Sequence, residues 1–236
     1  MMYLRDGRVR TTWRFGDMPE RDDGLAVSRH DLAASISFIN SNHIEHLEIT
    51  LGDPRLFVDP AFFEEHRKRV MNGEVQPAAD HDVNLAPLQA CPQLVSLVLE
   101  GNLLQSDTLE SLPLLRCLSL DNTAGKSRVE LSRLPLHTLY VQKPGRNVCG
   151  FEQITTLTEL AVWNYQPRSR SLTGLSALTS LHRLKLIQPR IESLDGAECL
   201  PELRQIEVYH ARRLTDTTAI ARCSNPVMLY TDPNHA

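Results

Sequence analysis

The sequence predicts an α/β solenoid, in which stacked repeats place a parallel β-sheet on one side and short helical or 3₁₀ segments on the other. The first observation is the regular interval between short apolar-x-apolar cores, which is 21 residues over four copies and then 24 and 22. The second is a threefold spacing of apolar residues before a core, clearest from Leu172 to Leu186. Such spacing suits a short 3₁₀ or helical segment, and the closing alternation suits a strand. A period in the low twenties indicates repeats that share one apolar interior. The six cores are Leu97–Leu99, Leu118–Leu120, Leu139–Val141, Leu160–Val162, Leu184–Leu186 and Ile206–Val208.

Residues 1–30 are predicted to form an N-terminal cap made of a hairpin and a turn. Asp6 and Gly7 lie between two strand-like runs, and this dipeptide is a strong hairpin signal. Because a repeat array needs its terminal apolar face covered, we expect Trp13 and Phe15 to cover it. The polar run Glu20–Gly24 is expected to be a turn.

Residues 31–52 are predicted to hold the first helix and the first repeat strand. Leu32, Ile36 and Ile39 recur at near-helical spacing after Asp31, which suits the first turn of a helix. The apolar alternation of Leu47–Leu51 then predicts a strand.

Residues 53–83 are predicted to be a helical insertion, because this stretch exceeds one repeat and has no intact strand core. Asp59 is a suitable N-cap, Pro60 suits the first helical position, and Gly73 suits the residue after the helix. Acidic residues precede basic ones between them, as the helix dipole favours. The apolar residues expected to dock this helix on the array are Phe62, Phe63 and Val70.

Residues 84–236 are predicted to be regular repeats with a minimal C-terminal cap. The last strand is expected at Val227–Tyr230, and the few residues after it are too short to form a capping unit. An open solenoid end exposes apolar core and a strand edge. We therefore expect either that Tyr230 and the tail cover this end or that another molecule does, for example a second copy in a homodimer.

Three segments resemble the LxxLxLxxN motif of leucine-rich repeat proteins: Leu94–Asn102, Leu115–Asn122 and Leu181–Leu186. The resemblance covers about residues 84 to 231, with an outlying repeat around 44 to 52. The short coils are more similar to the bacterial, SDS22-like subclass than to the longer ribonuclease-inhibitor type. The resemblance implies a horseshoe with a concave parallel sheet, a fold that commonly binds other proteins but has many different partners.

The asparagine of that motif is present in only some of the repeats. Asn102 occupies the motif position, whereas Asn122 and Asn164 come one residue early. The asparagine is missing after Val141 and Leu186. We therefore expect irregular turns in these repeats.

Composition does not indicate a nucleic-acid or membrane partner, and we expect neither. The 236 residues are 42% hydrophobic and carry a formal net charge of −4, which favours neither nucleic acid nor an anionic membrane as a partner. The start of the chain lacks the apolar core of a signal peptide, and no apolar stretch approaches the ~20 residues that span a bilayer. Five cysteines without a CxxC pair suggest buried reduced thiols. A cytoplasmic protein is expected.

The candidate binding site lies on the concave face of the predicted sheet, where side chains alternate with the buried leucines. Solvent-facing aromatic residues beside basic ones are typical of protein-binding hot spots. The alternative is that the aromatic rings pack over one another and are covered by the stems of the basic residues. The predicted partner-binding residues are Tyr140, Trp163, Tyr165, Arg183, Lys185, Ile187, Tyr209 and His210. A secondary acidic patch comprises Glu48, Glu100, Asp121 and Glu159.

Motifs for catalysis or metal binding are absent from the sequence. His43 and His46 lie three residues apart, but no cysteine or acidic pair completes a zinc set. There is no Gly-rich phosphate loop, GxSxG elbow or HExxH motif. We expect no cofactor, no metal and no enzymatic activity.

The sequence therefore predicts a non-enzymatic module that binds another protein through the concave face. An immunity protein or antitoxin that neutralises a cognate effector is one form of this function, because a rigid curved surface can occlude an active site. A regulatory or scaffold subunit of a phosphatase, kinase or signalling complex is the alternative. An enzyme is the least favoured class.

Overall fold

The computed structural model of the chain describes residues 2–3, 9–13, 21–57, 59–74, 81–121, 126–144 and 147–232. It divides into two compact units. The first comprises Met1–Leu115 and Ala124–Ser127, and the second comprises Arg116–Thr123 and Arg128–Ala236. In the described part of the chain, no helix combines the length and apolar character needed to cross a membrane.

The first unit contains seven strands and two α-helices within its described residues. Its main sheet has the order β1-β2-β3-β4-β6, with β1, β2 and β3 antiparallel and β3, β4 and β6 parallel. A second, two-stranded sheet pairs β5 with β7. The strands are β1 (Met2–Tyr3), β2 (Val9–Trp13), β3 (Arg21–Ser28), β4 (His46–Thr50), β5 (Asp82–Asn84), β6 (Ser96–Glu100) and β7 (Asn102–Leu104), and the helices are α1 (Leu32–Ser41) and α2 (Pro60–Met71).

The N-terminal region contains a strand that the sequence did not predict. The polar run expected to be a turn instead begins β3, which continues through an apolar core where Leu25 and Val27 are completely buried. Because β3 is parallel to β4 and joined to it by α1, it is a repeat strand in its own right. The turn at Asp6 and Gly7, the side chain of Trp13 and the residue Phe15 lie outside what the structure describes.

Helix α2 begins after Asp59, whose side chain accepts hydrogen bonds from the backbone N–H groups of Ala61 and Phe62. The expectation that its apolar residues dock it on the array is wrong, because α2 has no buried residue. Phe63 is 46% exposed and Val70 is 38% exposed. Phe62 is partly covered, and its ring centre lies 4.2 Å from the guanidinium carbon of Arg55. The helix contacts the 3₁₀ segment that carries Arg55, so its neighbour is the insertion itself.

The second unit contains a parallel sheet of six strands in the order β8-β10-β12-β13-β14-β15. A small two-stranded sheet pairs β9 with β11. The strands are β8 (Cys117–Asp121), β9 (Val129–Glu130), β10 (Thr138–Gln142), β11 (Val148–Cys149), β12 (Glu159–Trp163), β13 (Arg183–Ile187), β14 (Gln205–Tyr209) and β15 (Met228–Thr231).

The predicted leucine interior is confirmed. In the second unit the first apolar residue of each core faces its equivalent on the next strand, and all of them are at most 1% exposed. Parallel strands with one face in such an interior hold their register, because a slip by one residue would turn every leucine outward. These residues are Leu118, Leu139, Leu160, Leu184 and Ile206.

Short 3₁₀ segments connect the strands, as the threefold apolar spacing predicts. Leu172, Leu175, Leu178 and Leu181 are all completely buried, so this spacing places one side of the connection in the interior. The 3₁₀ segments are Pro54–Phe57, Ala86–Ala90 and Ser106–Ser111 in the first unit and Phe151–Gln153, Thr173–Leu175, Ala197–Cys199 and Thr218–Arg222 in the second.

In the described repeats of the second unit the expectation of irregular turns is wrong, because the residue after each of β10, β12, β13 and β14 adopts the same left-handed conformation. Asn122 lies outside the described residues. The φ angles are 45° for Lys143, 60° for Asn164, 53° for Gln188 and 57° for His210. The backbone N–H groups of Lys143, Asn164 and Gln188 donate to the last carbonyl of the next strand, at 3.0, 2.7 and 2.8 Å. Main-chain hydrogen bonds therefore make these turns regular without an asparagine side chain at every repeat.

The last of these turns is completed by a side chain. The N–H of His210 donates to the carboxylate of Asp232, which takes the place of a carbonyl from a further strand. Strand β15 pairs with β14 and carries two well-exposed side chains, Met228 and Tyr230. Leu229 faces the buried Ile206 but is itself only partly buried, so this edge of the sheet leaves apolar surface open.

Candidate protein-binding surface

The candidate surface is the sheet face of the second unit that points away from the leucine interior, which we call the open face. Side chains of a strand alternate between the two faces, so three residues of each strand lie on it. Parallel pairing fixes their neighbours: Trp163 faces Ile187, which faces Tyr209. On β10, β12, β13 and β14 it comprises Thr138, Tyr140, Gln142, Glu159, Ala161, Trp163, Arg183, Lys185, Ile187, Gln205, Glu207 and Tyr209.

One border of the open face is apolar. Trp163 is 40% exposed, and Ile187 and Tyr209 are partly exposed. Because neighbouring strands lie ~4.8 Å apart, these three side chains form a continuous strip about two strand spacings long. We call them the apolar strip. An exposed tryptophan held on a hydrogen-bonded sheet loses little conformational freedom when a partner covers it.

The centre of the open face is a hydrogen-bonded network around Glu207. Lys185 Nζ lies 3.4 Å from Glu207 Oε2, and the Tyr209 hydroxyl donates to the same oxygen at 3.2 Å. Gln205 Nε2 donates to Glu207 Oε1 at 2.6 Å. Lys185 Nζ also lies 5.5 Å from the centre of the Tyr209 ring. These contacts hold the ammonium group of Lys185 against β14, and the Glu207 side chain is only 16% exposed.

Glu159 is held differently, by a single tyrosine. The Tyr140 hydroxyl donates to Glu159 Oε1 at 3.0 Å. Burial raises the pKa of the Glu159 carboxyl, and the charge of Glu207 raises it further, against the opposing effects of the Tyr140 hydrogen bond and the charge of Lys185. Burial, followed by the charge of Glu159, also raises the pKa of Tyr140 well above its usual range. Tyr140 is therefore a neutral donor to this carboxylate.

Two of the predicted partner-binding residues lie elsewhere. Tyr165 does not lie on the open face: it is 5% exposed, and its ring meets that of Phe151 edge-on at 6.5 Å. The left-handed turn at Asn164 redirects the chain, so the strand's alternation does not extend to Tyr165. His210 lies in the turn after β14, with its side chain 65% exposed and its Nδ1 3.4 Å from Asp232 Oδ2.

The remaining predicted residues do lie together on the open face: Tyr140, Trp163, Arg183, Lys185, Ile187 and Tyr209. Glu207, which organises the network, is not among the predicted binding residues. The signal was present, because Glu207 faces the oppositely charged Lys185 directly in the parallel register.

The predicted acidic patch is divided between the two units. Glu48 and Glu100 belong to the first unit, and Asp121 and Glu159 to the second. Burial raises the pKa of the Glu48 carboxyl, and the charge of Glu100 raises it further. Glu48 is therefore a half-buried carboxylate rather than part of an open acidic surface.

In the first unit part of the equivalent sheet face is buried. His46, Thr50 and Ser96, which strand alternation places on this face, are completely buried, whereas Glu48, Val98 and Glu100 are partly exposed. His46 Nδ1 and Ser96 Oγ lie 2.8 Å apart, and the Thr50 hydroxyl donates to the carbonyl of Gly52 at 2.7 Å. Among the described residues, no group of three or more histidine, cysteine, aspartate or glutamate side chains is placed to hold a metal. The pair of His43 and His46 therefore has no metal-binding surroundings in the described chain.

No family model matches the chain, and no curated protein matches it either. Among solved structures, internalin C2 of Listeria monocytogenes is 20% identical, with a TM-score of 0.48 over 63% of this chain and 75% of that one. The internalin inlF of Listeria monocytogenes is 22% identical, with a TM-score of 0.45 over 61% of this chain and 43% of that one.

The fold class rests on this chain's own features. Strand cores recur every 21 to 24 residues, their leucines stack in one interior, and the strands are joined by 3₁₀ segments and pair in parallel register. This chain therefore has the fold of a leucine-rich repeat solenoid.

Proposed function

We propose that this chain is a non-enzymatic protein-binding module and that the open face of the second unit is its docking surface. The observation that carries the proposal is the apolar strip: an exposed tryptophan beside an isoleucine and a tyrosine on adjacent strands. Exposed aromatic side chains on a rigid element are enriched among residues that dominate binding energy.

The network beside the strip supports docking rather than catalysis. Glu207 has hydrogen bonds or an ion pair with Lys185, Gln205 and Tyr209. A general acid or base needs a proton-transfer position in reach of a substrate. These groups instead bind each other and hold the surface in one conformation, which lowers the entropy lost on binding.

A selection from a random linear peptide library displayed on phage tests the proposal. We expect peptides selected on the wild-type protein to bind at least tenfold more weakly to the Trp163→Ala and Ile187→Ala variants, because each loses part of the apolar strip. Phe63→Ala is the matched control: it removes a similarly exposed aromatic ring from helix α2. Equal binding by wild type and both strip variants would reject the open face as the docking surface.

The narrower roles are distinguished by the natural partner. An immunity protein that neutralises a cognate effector is the role we favour, and a regulatory or scaffold subunit is the alternative. A neighbouring toxin gene whose product is inhibited by this protein would support the first, and copurification with a phosphatase or kinase from the native host would support the second. The cytoplasmic location remains a prediction of the sequence.

A homodimer through the C-terminal edge is a separate proposal about assembly. It is supported by the exposure of Met228 and Tyr230 on β15 and by the partial exposure of Leu229. Sedimentation equilibrium of the wild type and of Leu229→Lys tests it. A concentration-dependent dimer that the substitution abolishes would support the proposal, and a monomer at all concentrations would refute it.

A further inference from the structure

The Glu159 carboxylate has one hydrogen-bond partner among the described residues, Tyr140, which donates to Oε1. Its second oxygen has none there and, unlike a fully buried unsatisfied atom, remains accessible. Neither cation of β13 fills this position: Arg183 faces Glu159 in the parallel register but makes no hydrogen bond or ion pair with it. Lys185 is drawn to Glu207 and Tyr209 on the other side of β13. Ala161, the neighbour of Lys185 on β12, is too small to cover the carboxylate.

Glu159 and the apolar strip are held at a fixed separation. Glu159 and Trp163 are the first and last residues of the same strand, on the same face. Four residues of strand span ~13 Å at ~3.3 Å per residue. A partner segment laid along β12 that covers Trp163 therefore also covers Glu159.

Resting on the proposed docking function, we propose that Glu159 receives a cationic side chain of the partner, arginine or lysine, about 13 Å from the apolar side chain that covers Trp163. The second carboxylate oxygen accepts the hydrogen bond from this group. The open face then selects partners by two features at a fixed distance, one basic and one apolar.

The chemistry of a covered carboxylate explains the choice of partner. A docked segment removes water from Glu159, and burying a carboxylate without a partner is costly. A neutral partner leaves this cost uncompensated, whereas a cation offsets it with a charge-assisted hydrogen bond. Glu159 thus favours basic partners and also disfavours others.

The charged and titratable groups near Glu159 set the pH dependence of this contact. They are Tyr140 on β10, Arg183 and Lys185 on β13, and Glu207 on β14. Burial and the charge of Glu207 raise the Glu159 pKa, so its carboxyl becomes neutral at a higher pH than an ordinary glutamate. Binding of a basic segment should therefore weaken as the pH falls through that raised pKa.

Three parallel selections from the same phage-displayed peptide library test the inference. The proteins used to capture peptides are the wild type, Glu159→Gln and Glu202→Gln. Glu202 is the matched control, because it is an exposed glutamate outside the strands that pairs with Arg204. We expect basic residues at one position on wild type and on Glu202→Gln, and no such preference on Glu159→Gln. Individual basic peptides should bind Glu159→Gln about tenfold or more weakly, since they lose one charged partner.

Two outcomes separate this inference from the proposed function. If selected peptides need Trp163 but show no basic preference that depends on Glu159, the cation site is wrong and the docking surface stands. If basic peptides bind independently of both Trp163 and Ile187, the docking surface is wrong. Full retention of affinity by a basic peptide on Glu159→Gln would also overturn the cation site.

Discussion

The sheet faces that point away from the leucine interior differ between the two units, although both are built from the same repeat. On β4 and β6 of the first unit, His46, Thr50 and Ser96 are buried and hydrogen-bonded. On β12 of the second unit, Trp163 is well exposed at the end of the strand. The repeat motif therefore determines the interior but not whether the opposite face is open.

Residue size and hydrogen bonding contribute to the difference, which is one of degree: Glu48, Val98 and Glu100 of the first unit are partly exposed, and Cys117 and Thr138 of the second are buried. The first unit has small or locally bonded side chains on this face, including Ala26 and Ser28 on β3. The second unit has long side chains bonded within the face, such as Lys185 and Glu207. Small buried side chains suit a structural role, whereas long side chains that are held in place by hydrogen bonds suit an accessible surface.

The largest expected effect separates the two faces of one strand. Leu160→Ala should lower the free energy of unfolding by ~2–5 kcal/mol, because it opens a cavity in the interior. Trp163→Ala on the same strand should lower it by less than ~1 kcal/mol, as expected of a partly exposed side chain outside the core. Chemical denaturation measures both. Equal losses would mean that Trp163 is part of the core and not of an available surface.

A smaller effect tests whether His46 and Ser96 form a buried hydrogen-bonded pair in the first unit. Ser96→Ala removes the hydroxyl 2.8 Å from the buried His46 ring and should cost ~0.5–1.5 kcal/mol, the net range for a hydrogen bond. Ser119→Ala on β8, which is only partly buried, should cost less than ~0.5 kcal/mol. Denaturation curves for the two serine variants would contradict the comparison if their midpoints coincided.

The C-terminal end of the second unit should depend on one side chain. Asp232→Ala removes the acceptor of the His210 N–H and should cost ~0.5–1.5 kcal/mol. Hydrogen exchange should show faster exchange of the His210 amide in this variant. Asp216→Ala is the control, since that carboxylate accepts from Thr218 within its own turn. Unchanged protection at His210 in Asp232→Ala would show that the last turn is held by other contacts.

The smallest effect is a pH-dependent one in the first unit. Burial and the charge of Glu100 raise the Glu48 pKa, so the folded protein holds a proton there at pH values where the unfolded chain has lost it. Stability therefore falls as pH rises through the raised pKa. Glu48→Gln should raise the free energy of unfolding at neutral pH, by a smaller amount than Leu160→Ala lowers it. This gain should vanish below the ordinary pKa of glutamate, where the Glu48 carboxyl is protonated in both states. Denaturation at several pH values, with the exposed Glu65→Gln as control, checks this; a gain independent of pH would contradict it.

The interior was predictable because it follows from a periodic pattern. The six strand cores and the threefold spacing from Leu172 onward are visible in the sequence, and the structure buries them as expected. Strand β3 was missed because its polar start, Arg21–Asp23, resembles a turn while its core is only Leu25–Val27. The regular turns were missed because backbone hydrogen bonds, which leave no mark in the side-chain sequence, stabilise them.

The candidate surface was predictable only in part. Alternation along a strand placed Trp163, Lys185, Ile187 and Tyr209 on one face, because residues of one strand two apart share a face. It failed for Tyr165, since a left-handed turn separates that residue from the strand. It also did not reveal that His46, Thr50 and Ser96 of the first unit are buried, because that burial depends on tertiary packing.

The most direct test of the account is hydroxyl-radical footprinting of the protein with and without a peptide selected on the wild type from the random linear library. We predict protection of Trp163, Ile187 and Tyr209 in the second unit and no change at Phe63 and Met71, which helix α2 exposes in the first. Protection confined to helix α2, with the apolar strip unprotected, would contradict it.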